Sequence, residues 1–246
     1  MVFIIFYRKN DYWKHNYLFA FILVSLLLVY EYRILDYEPH TYIVTSFYEP
    51  VEVVENSGIN ILLVKSFNVF YLEDEEVIRE SYEREMEPII GLYKVTNQDR
   101  YHSKTEELLS MIGLNNDHFT IMRENVTDYL GTEIEAVTNF LHREDIEGDS
   151  VGLGLVLSEL IQQGKIKNNI AIGVTGAIHR DGQIMPVGNI QEKMIISEQH
   201  GFPFMIVPNE NRKEVETVQA QQKLNIEVHF VDHIDEAIEF IEVLNE

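Results

Sequence analysis

Between Tyr17 and Tyr30 runs LFAFILVSLLLV, twelve residues without a charge, with Trp13 just before it and Tyr32 just after. A helix through this stretch has no polar face to offer water, so it belongs in lipid or inside a core. The apolar part falls short of the ~20 residues that a bilayer's hydrocarbon layer requires. Asn16, Glu31 and Tyr32 are therefore expected in the headgroup zone, where the flanking aromatic rings also fit. A buried core helix and a cleavable leader are the alternatives, but no small-x-small cleavage site follows the run. Residues 17–32 thus read as a signal anchor. Arg8, Lys9 and Lys14 precede it and acidic residues follow. The positive-inside rule then puts residues 1–16 in the cytoplasm and 33–246 outside it, on a single-pass protein of the cell membrane.

The charge beyond the run excludes one class of partner. Residues 31–246 carry 16 Lys and Arg against 40 Asp and Glu, a formal balance of −24. Affinity for nucleic acid comes largely from cations that neutralise phosphates, so a nucleic-acid role is disfavoured. The chain has no cysteine, hence no disulfide framework and no thiolate metal or redox site. At 246 residues and 46% hydrophobic content it has room for one packed domain of moderate size plus an appendage.

Turn chemistry and periodicity divide the rest. Thr41–Val54 and Ile59–Val64 are rich in β-branched and aromatic residues around Asn56-Ser57-Gly58, which predicts a hairpin. Glu73 to Pro88 reads as one amphipathic helix whose acidic start, Glu73 to Glu76, suits the helix dipole. Ser103-Lys104-Thr105-Glu106 has the capping-box pattern and predicts a helix through Met111. Residues 113–132 carry no clear signal, and Glu133–His142 fits helix or strand. From residue 145 onward helices and strands alternate, which predicts a mixed α/β domain over 145–246. Its helices are expected at Val151–Gln162, Ile190–His200 and Ile234–Leu244, its strands at Ile170–Thr175, Phe204–Val207 and Ile226–Val231, with a turn at Arg180-Asp181-Gly182-Gln183. Residues 33–144 form a separate extracytoplasmic region, β-rich and helical.

Two glycine-marked motifs carry the chemistry. Glu147-Gly148-Asp149-Ser150-Val151-Gly152 leads into a helix, and Pro186-Val187-Gly188-Asn189-Ile190-Gln191-Glu192-Lys193 into another, with Thr175-Gly176 between them. A serine hydroxyl needs a base within reach to become a nucleophile. A lysine serves only when neutral, which an apolar setting favours, and Ile190, Met194 and Ile195 supply apolar neighbours. Thr175 is placed to orient the amine. A serine at the head of a helix has free backbone N–H groups nearby for an oxyanion, and Gly148 and Gly152 leave room for a substrate strand. Each residue also has an ordinary reading: Ser150 or Asp149 as a helix cap, Lys193 as a surface lysine.

Together these motifs resemble the proteolytic domain of the Lon family, in which the serine of D-G-P-S-A-G pairs with the last lysine of G-G-L-K-E-K. The serine-to-lysine interval is 43 residues, and Thr-Gly falls 25 residues after the serine. The resemblance covers roughly 145–244, including Pro208-Asn209-Glu210-Asn211-Arg212, similar to the family's P-x-E-N segment. It implies a compact α/β proteolytic fold that hydrolyses peptide bonds through an acyl-enzyme. Ser150 would be the nucleophile, Lys193 the general base and Thr175 the lysine's partner, with Gly148, Asp149 and Gly152 around the oxyanion and substrate.

Five positions depart from the family pattern: Glu147 stands for Asp, Asp149 for Pro, Val151 for Ala, Asn189 for Gly and Ala177 for Glu. Asp149 matters most, because a carboxylate facing Lys193 would hold it protonated unless a cation matched it. No G-x-x-x-x-G-K-[ST] loop is present, so neither ATP nor another cofactor is expected. The layout resembles membrane-anchored PDZ-Lon proteases of Gram-positive bacteria, although residues 33–144 show no PDZ pattern. The expected activity is an ATP-independent, membrane-anchored serine endopeptidase acting on unfolded or membrane-associated polypeptides. The alternative is a catalytically inactive Lon-like scaffold that binds peptides, and a homo-oligomer is left open. His229 and His233, four apart, read as solvated histidines and not a metal site. Asn125-Val126-Thr127 matches a glycosylation sequon.

Overall fold

The computed structural model describes residues 11–85, 89–113, 118–131, 135–141 and 148–246. Arg8, Lys9, Pro88 and Glu147, each used in the reading above, lie outside them. Two compact units are present. One comprises residues 1–42, 69–73 and 94–115, and the other residues 43–68, 74–93 and 116–246.

In the first unit, helix α1 spans Asp11–Tyr32 and runs into a 3-10 turn at Arg33–Tyr37. From Leu18 to Val29 its large apolar side chains are between 47% and 66% exposed. Among the described residues it is the one helix long and apolar enough to cross a membrane, with mean hydropathy 2.0 over His15–Tyr37. Helix α4, Asn97–Met111, starts earlier than the sequence suggested. Its capping box is formed by Thr96 and Asp99: Thr96 N–H donates to Asp99 Oδ2 (2.7 Å) and Asp99 N–H to Thr96 Oγ1 (3.3 Å). Aspartate does here what glutamate does in the usual box, so Ser103 lies mid-helix. The end of α1 is tied to α4. Lys104 Nζ lies 3.4 Å from the Tyr30 ring centre and 4.2 Å from that of Tyr101, Tyr101 OH donates to Glu31 (2.6 Å), and Arg33 pairs with Glu107.

The predicted hairpin forms only in part: Leu63 and Val64 open a strand that pairs with the first arm, while Ile59–Ile61 does not. Strand β1, His40–Tyr48, stops before Pro50, and Val51–Val54 winds into a short helix, α2, that buries Val53 and Val54. Asn56 and Gly58 then take positive φ. A Cβ on Gly58 would sit 2.6 Å from Asn168 Nδ2 and 2.7 Å from the Ile170 carbonyl oxygen, so the turn admits only glycine comfortably. The chain is thereby sent into a different sheet. Strand β2, Ile59–Ile61, pairs in parallel with β5, Ile172–Val174, which pairs with β8, Phe204–Pro208, and that with β9, Glu227–Val231. Parallel strands are buried on both faces, which suits the apolar β2 better than a half-exposed hairpin. The four-stranded sheet of the 145–246 stretch thus takes one strand from upstream of it. β1 instead lies between β3, Leu63–Phe70, and β4, Ile89–Lys94.

Helices cover both faces of the parallel sheet. Along β8, Ile206 packs with Ile61, Ile172 and Val174 against α5, His118–Leu130, α7, Gly152–Gln162, and α10, Ile234–Leu244. Its neighbours Met205 and Val207 face the other way, with Leu62, against α8, Ile190–Gln199, and α9, Arg212–Gln222. This is the period-two alternation of a strand. Helix α3, Glu75–Glu85, forms within the acidic stretch as expected, and α6, Glu135–Leu141, resolves the helix-or-strand question in favour of helix. Strands β6, Ala177–Ile178, and β7, Ile184–Met185, pair antiparallel around the turn at Arg180–Gln183. The mixed α/β class read from the sequence is the observed one.

Candidate active site

Ser150 occupies the turn before α7 and is half-buried. Thr175-Gly176, immediately after β5, is stitched to it: Gly176 N–H donates to the Ser150 carbonyl (2.9 Å) and Leu153 N–H to that of Gly176 (3.0 Å). Thr175 is fully buried, its N–H continues the ladder to the Ile206 carbonyl (3.1 Å), and its hydroxyl donates to the Ser150 carbonyl at 3.4 Å. The threonine hydroxyl thus bonds the serine's turn and not the lysine amine. Two amides at the start of α7 are also taken, since Gly152 N–H donates to the Asp149 carbonyl (3.2 Å) and Leu153 N–H to Gly176.

The glycines divide. Gly148 is exposed, has φ +87°, and a Cβ there would meet nothing within 4 Å, so its surroundings are open. Gly152 is buried, and a Cβ would come within 2.9 Å of Ile178 Cγ2 and 3.2 Å of Met122 Cγ. Its role is close packing of α7 on β6 and α5, which differs from the substrate clearance expected of it.

Lys193 sits in the first turn of α8, 2% exposed. The helix starts from Asn189, whose φ of 58° and ψ of 38° are left-handed. Glycine is the easy residue there, and asparagine is among the few others that tolerate it, which explains how Asn189 stands in for the family glycine. Asn211 clamps the approach to this helix: it accepts from Val187 N–H (3.0 Å) and donates to the Val187 carbonyl (2.9 Å). The P-x-E-N-like segment therefore has a positional task, satisfying two buried backbone groups just ahead of the base-bearing helix.

Burial pushes the Lys193 amine down to about 7, against upward pulls from Asp149, Glu192 and Glu214 in that order. Desolvation disfavours the ammonium and carboxylates favour it; here desolvation prevails. Asp149 has a partner that sequence reasoning missed. His118 Nδ1, at the start of α5, is 3.7 Å from Asp149 Oδ2, with side chains 66% and 31% exposed respectively. The pair is 31 residues apart and carries no motif, so no local signal announced it.

The remaining candidates have structural tasks. His229 stacks on Phe240 with ring centres 3.9 Å apart. His233 caps α10, accepting from Asp235 N–H (3.3 Å). No group of three or more His, Cys, Asp or Glu side chains suited to a metal occurs among the described residues. Asn125 of the sequon is buried within α5, where an oligosaccharide has no room.

Comparison with known proteins finds similarity over the C-terminal part of the chain. Residues 142–243 match the family model of the Lon protease (S16) C-terminal proteolytic domain. Lon protease from Desulforamulus reducens is 32% identical over 94 residues, 37% of this chain and 11% of that protein. The Chlamydia pneumoniae enzyme is 33% identical over 94 residues, 37% of this chain and 11% of its own length. That of Dictyoglomus thermophilum is 32% identical over 94 residues, 37% and 12% respectively. The chain thus covers about a ninth of the length of these relatives. Residues 142–243 are thus similar to the proteolytic domain of the Lon protease (S16) family.

Proposed function

We infer that this chain is a membrane-anchored serine endopeptidase that works without ATP on unfolded or membrane-associated polypeptides. Ser150 is the nucleophile, Lys193 the general base, and Thr175 holds the serine's turn against the sheet. The observation that carries this reading is Lys193 itself, buried to 2% exposure and pushed down to about 7 inside a protease-family domain. A base poised near the working pH is what proton transfer from a hydroxyl requires.

Neutral Lys193 takes the Ser150 proton as Oγ attacks the scissile carbonyl. The tetrahedral oxyanion collapses and expels the amine, which takes the proton back from Lys193. The ester left on Ser150 is then hydrolysed by a water that gives its proton to the same lysine, which returns it to Ser150 Oγ as the acyl–oxygen bond breaks. Asp149 opposes this by favouring the ammonium, yet burial still holds the amine at about 7. That balance favours the enzyme over the catalytically silent scaffold.

With no nucleotide added, the full chain in detergent micelles is expected to cleave a labelled unfolded protein. The rate should rise with pH through about 7, because the deprotonated lysine is the active form. No cleavage anywhere between about pH 6 and pH 10 would leave the scaffold.

The exposed apolar surface of α1 supports an anchor over residues 17–32, and the basic residues ahead of it favour 1–16 cytoplasmic, with 33–144 and the proteolytic domain, 145–246, outside. Protease added to intact cells is then expected to digest the part beyond Tyr32 and to spare a tag on Met1. Digestion of the tag with the C-terminal part spared would reverse the orientation.

A further inference from the structure

Tyr93, near the end of β4, is far in sequence from the motifs and reaches the turn that carries the base. Its hydroxyl donates to Glu192 Oε1 at 2.6 Å and lies 3.4 Å from Gln191 Nε2. Glu192 is buried, so this donor answers a carboxylate that water scarcely reaches. Room for the arrangement comes from Gly91. A Cβ there would lie 2.5 Å from Tyr93 Cε2 and 2.7 Å from both the Tyr93 hydroxyl and Thr45 Oγ1, so the ring folds back over its own strand only because position 91 is glycine.

We propose that Tyr93 is a positioning residue for the base: by engaging the Glu192 carboxylate it weakens the hold of that charge on the neighbouring Lys193 and keeps the amine available to accept a proton. The proposal rests on Lys193 being the general base. The charged groups acting on Lys193 are Asp149 from the serine turn, Glu192 from α8 and Glu214 from α9. Asp149 has His118 beside it, and Glu214 accepts from Asn211 Nδ2 at 3.3 Å. Glu192 is the one adjacent in sequence, and its donor from outside the lysine is Tyr93, whose hydroxyl in turn accepts from Gln191 Nε2. Burial, followed by the bond to Glu192, pushes the phenol up to about 12, so it remains a donor throughout the range in which Lys193 titrates. Without the donor, the buried carboxylate has the lysine ammonium as its compensating partner, and an opposite charge favours the protonated amine.

The test reads Lys193 directly. The full chain in detergent micelles, carrying 13Cε-lysine, is titrated by NMR, with the Lys193 resonance assigned by its loss in Lys193→Met, and hydrolysis is followed in parallel. Tyr93→Phe, which removes a single hydroxyl, is expected to raise the Lys193 midpoint by about half a unit to one unit and to move the alkaline rise of hydrolysis with it. Tyr93→Phe with Glu192→Gln should return the midpoint to the wild-type value or below, since no carboxylate remains to be released. An unmoved midpoint in Tyr93→Phe, or an equal rise in the double variant, overturns the proposal. A raised and rescued midpoint in a protein that hydrolyses nothing would uphold the positioning and sink the peptidase reading. An unmoved midpoint with hydrolysis that still needs Ser150 and Lys193 would do the reverse.

Discussion

Ser150→Ala and Lys193→Ala are each expected to lower hydrolysis of an unfolded polypeptide by about a thousandfold or more, because nucleophile and base act as one unit and the loss of either stops the covalent route. The two losses should also fail to add: the double variant should be no slower than the worse single one. Initial rates on a labelled unfolded protein, with circular dichroism to confirm that each variant keeps its helices, check both statements. If either variant keeps near-wild-type turnover, the assignment of that residue is wrong. An additive double variant would mean that the two residues serve separate steps.

Lys193→Met is expected to stabilise the protein while it abolishes activity. The amine's folded pKa is about 7 against an unfolded value near 10.5, so between those limits the unfolded chain binds a proton that the folded one does not, and stability rises with pH. Below about 7 both states are protonated and the full cost of burying the ammonium is present. Each pKa unit corresponds to about 1.4 kcal/mol, so the cost removed by methionine near neutrality is on the order of 4 kcal/mol. The advantage of Lys193→Met should therefore be largest at and below about pH 7 and shrink toward pH 10.5. Urea unfolding of both proteins at two pH values measures it, read by circular dichroism because the single tryptophan, Trp13, belongs to α1. An advantage independent of pH would mean that the amine is not held near neutrality. The trade of stability for function is a common one at active sites.

Legibility in the sequence followed the range of the interactions. Helices Gly152–Gln162, Ile190–Gln199 and Ile234–Leu244 and the strands between them were readable from period and stop signals alone, since Gly164 and Gly201, with φ of 69° and 68°, end the first two helices by local backbone geometry. Ser150, Thr175 and Lys193 stood out because a motif fixes residue types at short, regular spacing. Residues 41–64 misled, because β-branched residues report that a segment is extended and say nothing of which strand it pairs with. That was settled by a bend at Pro50 and by burial of β2 beside β5.

The sequence by itself therefore determined the alternating α/β order, the apolar helix near the start and the presence of a serine and a lysine in matching motifs. Tertiary structure alone decided the state of that lysine. Its pKa is a balance between burial and the charges of Asp149, Glu192 and Glu214. Two contacts reach these carboxylates from far along the chain: His118 lies beside Asp149, 31 residues away, and Tyr93 donates to Glu192, 99 residues away. Desolvation and Coulomb interaction depend on where atoms lie in space and not on their order along the chain, so no reading of spacing recovers them.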